Sequence, residues 1–150
     1  MVDGGAPIID SLVHSRIADD TMLDITIPIS PGELIDKITI LELKLENIIE
    51  PSKLANVRRE WGMLIAVRDA AIPTSPENDG LTADLKAINA RLWRIEDGIR
   101  DCERRKDFGP DFVALARSVY INNDDRARLK QSINHLLGSA TVEEKSYQQY

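Results

Sequence analysis

The sequence predicts an all-α protein, an antiparallel helical bundle of three long helices and two short C-terminal helices, preceded by a short extended segment. Apolar residues recur at alternating steps of three and four through most of the chain, the spacing of one helical face. Pro51 and the Gly109-Pro110 pair fall between those runs, where chain breakers belong. One stretch, Ile25 to Ile29, alternates with period two instead.

Length and charge set the outer bounds. A chain of 150 residues suits one domain. Its formal charge of -6 argues against nucleic acid, whose phosphates require clustered Lys and Arg. The one basic cluster, Arg104-Arg105-Lys106, follows Asp101 and Glu103, as expected of a salt-bridged helix end. Cys102 is the only cysteine and lies within an apolar repeat, so it reads as a small core residue. The lack of an export signal and of an apolar run near ~20 residues points to a soluble, cytoplasmic protein with no membrane insertion.

Residues 1–24 read as an N-terminal extension, partly mobile, with weak periodicity through Ile8, Ile9, Leu12, Val13 and Ile17. Ile25, Ile27 and Ile29 follow with one apolar face, limited by Pro28 to an edge strand or an isolated one. The first strong helix starts at Ser30. Ser30 can cap it, Pro31 suits its first position, and Glu33 stands where a capping box needs an acid. Leu34, Ile38, Leu41, Leu45 and Ile48 form a heptad seam, while Ile40 and Leu43 face nearly the other way. A helix apolar on two sides is expected at the centre of the bundle or shared with another subunit.

Pro51 ends that helix, and Ser52 can cap a second one running to about Ala71, with Leu54, Val57, Trp61 and Leu64 on its seam. The short turn between them predicts antiparallel packing. Residues 72–81, with Pro73, Pro76, Asn78, Asp79 and Gly80, read as a polar loop. A third helix from Thr82 to Asp107 carries Leu85, Ile88, Leu92, Ile95, Ile99 and Cys102 on a clean seam. At ~1.5 Å per residue it is about 39 Å long. Two short helices follow, roughly Pro110 to Ile121 and Asp124 to Leu137, the latter capped by Asn123 and stopped by Gly138. The bundle domain thus spans residues 25–138, and residues 139–150 form a polar tail.

The usual signs of chemistry are missing. His14 and His135 each lack a second ligand at metal spacing, and no glycine-rich loop joins a strand to a helix, so no metal or cofactor is expected. Asp36 shares a face with Ile40 and Leu43, and a carboxylate buried there needs a donor. Arg117, Tyr120, Asn122, Asn123, Arg126 and Lys130 crowd into fourteen residues and could supply one. Two readings stand: an ion pair that fixes how the last helices dock, or a pocket for an anionic ligand. Lys37 reads as a solvated edge charge or as part of that pocket. Tyr147 and Tyr150, amphipathic rings on a polar tail, either dock in a groove or stay free. The candidate ligand- or partner-binding residues are therefore Asp36, Lys37, Arg117, Tyr120, Asn123, Arg126, Lys130 and Tyr147.

The run Ser30-Pro31-Gly32-Glu33-Leu34-Ile35-Asp36-Lys37-Ile38-Thr39-Ile40-Leu41-Glu42, with Ala116-Arg117-Ser118-Val119-Tyr120, the stretch Asn123 to Lys130 and Glu144-Lys145-Ser146-Tyr147, resembles a family of small bacterial proteins of unknown function. The likeness spans about residues 25–150. It implies a bacterial cytoplasmic setting and no activity. From the residues themselves, the first expectation is a non-enzymatic interaction module that associates with itself or a protein partner through its two-sided first helix and its tail. The other is an enzyme or small-ligand binder acting on an anionic metabolite around Asp36, Arg117 and Arg126.

Overall fold

A computed structural model describes residues 25–141, 144 and 146. The N-terminal extension and Tyr147 lie outside those residues. The described residues form four helices: α1 (Pro31–Asn47), α2 (Pro51–Ala71), α3 (Pro76–Arg105) and α4 (Pro110–Leu136). No strand occurs among the described residues; Ile25, Ile27 and Ile29 are exposed in irregular backbone, so the expected edge strand does not form.

The start of α1 follows its sequence. Ser30 Oγ accepts from the Glu33 N–H at 3.3 Å and Pro31 occupies the first turn. Glu33 does not close the capping box; its carboxylate lies 2.6 Å from Lys130 Nζ. Along α1 nearly every side is covered: Leu34, Ile35, Ile38, Leu41 and Leu43 are buried, as are Asp36 and Thr39. The helix packs against each of the other three. Both its apolar faces thus pack against helices of its own chain, with Ile40, Leu45 and Ile48 partly exposed.

Three boundaries differ from the sequence expectation. The stretch read as a loop from 72 to 81 contains only a short connection, because Ser75-Pro76 repeats the cap-and-proline start of α1. Ser75 Oγ accepts from the Asn78 N–H at 3.1 Å, and Glu77 and Asp79 favour the N-terminal end of the helix dipole. Glu50, not Ser52, is the residue before α2, and Ser52 Oγ donates to the Glu50 carboxylate. The two short C-terminal helices are one, of 27 residues. Asn122 and Asn123 do not cap a new helix: Asn122 Nδ2 donates to the Ser118 carbonyl at 2.7 Å, and Asn122 Oδ1 accepts from Arg91 at 3.2 Å. Tertiary partners for the amide outweigh the asparagine's preference for a helix end.

α3 and α4 form the long hairpin of the molecule. Ile35, Leu85 and Ile133 make its most buried cluster, with Ile72, Leu81, Leu129 and Leu137 around it. α1 lies across this hairpin, meeting α4 through its first turns at Gly32, Glu33 and Asp36 and α3 through Asp36, Thr39, Glu42 and Glu46. α2 is different. Among the described residues its only helical neighbour is α1, and Val57 is its only buried residue.

Candidate functional site

Where the three helices α1, α3 and α4 meet, a small polar cluster sits in apolar surroundings. Asp36 is 1% exposed. Its Oδ1 accepts from Arg126 Nε at 2.8 Å and from Asn89 Nδ2 at 2.9 Å, and its Oδ2 from Arg126 Nη2 at 2.5 Å. The pairing is the two-pronged arginine–carboxylate geometry, the strongest of the charge-assisted bonds. Asn89 Nδ2 also reaches Thr39 Oγ1 at 3.0 Å, and that hydroxyl donates to the Asp36 carbonyl at 2.9 Å. Arg126 donates to Asn123 Oδ1 at 3.4 Å.

A turn earlier on α1, Gly32 brings the two backbones together. Its N–H donates to Asn134 Oδ1 at 2.7 Å, and a Cβ there would sit 2.4 Å from the Lys130 carbonyl oxygen. Only glycine fits. Lys130 is itself buried and pairs with Glu33. On the other flank Lys86 of α3 bridges Glu42 at 3.0 Å and Glu46 at 2.8 Å. The Glu46 hydrogen bond, aided by Glu42 and opposed by partial burial, holds the Lys86 ammonium above its usual range.

The eight candidate residues therefore divide. Asp36, Asn123, Arg126 and Lys130 gather at the α1–α4 junction. Arg117 does not. It is exposed and lines an open groove of about 660 Å³ with Gly109, Pro110, Val113, Ala114 and Ile121. Nine residues along one helix turn through about 900°, so Arg117 and Arg126 point in opposite directions. Lys37 is exposed, Tyr120 is 38% exposed, and Tyr147 is outside the described residues.

The sequence reading missed Asn89, Thr39, Gly32 and Asn134. Asn89 carried a signal, since it follows Ile88 in the best apolar seam of the chain, where an amide needs a partner. Each Asp36 oxygen accepts at least one hydrogen bond within the cluster, so the carboxylate is engaged by the protein's own side chains. Among the described residues no group of three His, Cys, Asp or Glu could hold a metal ion. None of the helices described is long and apolar enough to cross a membrane.

A family model matches residues 25–150, the whole of the helical region. The chain belongs to the family of unknown function DUF6165. No curated protein and no solved structure matches it.

Proposed function

We propose that the protein is a non-enzymatic helical interaction module that associates with a second copy of itself through the outer face of α2. The observation that carries this reading is the position of α2, which among the described helices rests on α1 alone and leaves Met63 and Val67 exposed at 55% and 49%. Gly62, Ala66 and Ala70 lie beside them, also exposed, so the solvent side of the second half of the helix is apolar and shallow, with Asn56 and Arg59 exposed on the turns before it. Such a face allows close approach of another helix. Its charges are mixed in sign. An antiparallel pairing centred near Leu64 sets Arg59 of one copy level with Asp69 of the other.

The alternative, a site for an anionic metabolite at Asp36, Arg117 and Arg126, has narrower support. Arg126 is committed to Asp36, and Arg117 faces away from both. The bacterial cytoplasmic setting implied by the motif resemblance belongs to the same proposal. Light scattering across a range of concentrations tests it. The expected result is a mass that rises from one chain towards two and stays at one for Met63→Glu/Val67→Glu. A single-chain mass at every concentration for the unaltered protein would overturn it.

A further inference from the structure

α2 and α1 differ in how firmly the fold holds them. Eight of the 17 residues of α1 are buried, against one of the 21 in α2. The side-chain hydrogen bonds and ion pairs described for α2 all stay local: Ser52 and Lys53 to Glu50, Arg59 to Asn56, and Arg68 to Asp69. Among the described residues, none of them ties α2 to another helix.

The helix is also weak in itself. No side chain caps its N-terminus and no acid stands in its first turn. Gly62 interrupts its middle, where an added Cβ would meet nothing within 4 Å, so no packing contact within the chain offsets the cost of a mid-helix glycine. The buried Trp61 Nε1–H, with no acceptor among the described residues, gains a water partner when the helix leaves. Most helical stability in proteins comes from tertiary packing, so the element with least of it opens first.

What lies beneath α2 is apolar. Leu34, Ile38 and Leu41 are buried, and helical spacing sets them on the side of α1 turned from Ile35, Asp36 and Thr39. The bonds of Gly32, Asp36 and Thr39 to α3 and α4 are made on the other side, so they survive the loss of α2. At both ends of α2 the backbone is extended, at Ile48 and Glu50 and again at Ile72. Ile72 packs against the core cluster and keeps the released segment moored.

We infer that α2 is a cover on α1: residues 51–71 open together while α1, α3 and α4 stay folded, baring the seam of Leu34, Ile38 and Leu41. The inference rests on packing within one chain. On the self-association reading, a second copy seated on the outer face of α2 holds the cover shut.

The test is amide hydrogen exchange on the unaltered protein at low concentration, read by segment across a urea series below the unfolding transition. Interior amides of α2 should exchange together, about 100-fold faster than those of α1, with a urea slope shallower than the global one. Ile133→Val, in the core and away from α2, should speed exchange in α1, α3 and α4 by about three- to tenfold and leave α2 unchanged. Exchange of α2 at the rate and urea slope of α1 overturns the inference, as does acceleration of α2 by Ile133→Val to the same degree. A loss graded from the helix ends with no urea slope also overturns it, since that is fraying. Repeating the measurement at rising protein concentration separates the two readings: exchange in α2 that fails to slow counts against self-association and leaves the opening in place.

Discussion

The two neighbourhoods of α1 are held by different physics. Towards α3 and α4 the helix is tied by directional groups: Gly32 to Asn134, Glu33 to Lys130, and Asp36 to Arg126 and Asn89. Towards α2 the packing is apolar, with Val57 buried and Leu54, Trp61 and Leu64 half-buried, and the buried Trp61 Nε1–H has no acceptor among the described residues. Hydrophobic contact is non-directional and tolerates sliding. A buried carboxylate whose oxygens are all occupied permits one register only, since any shift leaves a charge unpaired. Position is thus set by directional bonds on one side of α1, and apolar adhesion is supplied on the other.

The largest effect is expected from breaking the polar side. Asp36→Ala strands Arg126 and Asn89, and urea denaturation should show a loss of about 3–4 kcal/mol. Replacing both members of the pair by apolar residues, Asp36→Leu with Arg126→Met, should restore most of that loss. Next comes Gly32→Ala, where a Cβ meets backbone at 2.4 Å and something must move. A melting experiment should report about 2 kcal/mol of destabilisation. If Asp36→Ala cost no more than an ordinary surface change, the contrast between the two sides would collapse.

On the apolar side the effects shrink. Trp61→Phe removes the unpartnered N–H at the cost of some buried area, and the two nearly cancel, so unfolding free energy should stay within about 1 kcal/mol of the starting value. The smallest effect belongs to Lys86. Its folded pKa is raised above the ordinary lysine value of 10.5, chiefly by Glu46, so its contribution is fully present below pH 10.5 and fades as pH climbs through the folded value. Because the side chain is 35% exposed, solvent screening limits it to about 0.5 kcal/mol. Alkaline titration of stability for Lys86→Met should lack that last decline.

Much of this arrangement was legible in the residues, and the failures have physical causes. Ser30-Pro31 marked α1, and the apolar residues on its two sides marked it as central. The need of Asp36 for a donor from the C-terminal region was also readable, since burial of a carboxylate demands one. The same cap-and-proline signal at Ser75-Pro76 was hidden by the turn formers around it, and the pair Asn122-Asn123 resembled a helix start because the partners of Asn122, Arg91 and Ser118, are set by folding. That misplaced break made Arg117 and Arg126 look like neighbours, when one continuous helix turns them apart. Gly32 offered no sequence sign of its role, which exists only where α1 crosses the Lys130 carbonyl.

The claim that Asp36 and Arg126 position α1 and do nothing else is tested most directly by one protein, Asp36→Leu with Arg126→Met, in the light-scattering experiment. The expected result is a folded chain that associates with the same concentration dependence as the unaltered one. A folded chain that has lost association, with α2 untouched, would contradict it and place the function at the buried pair.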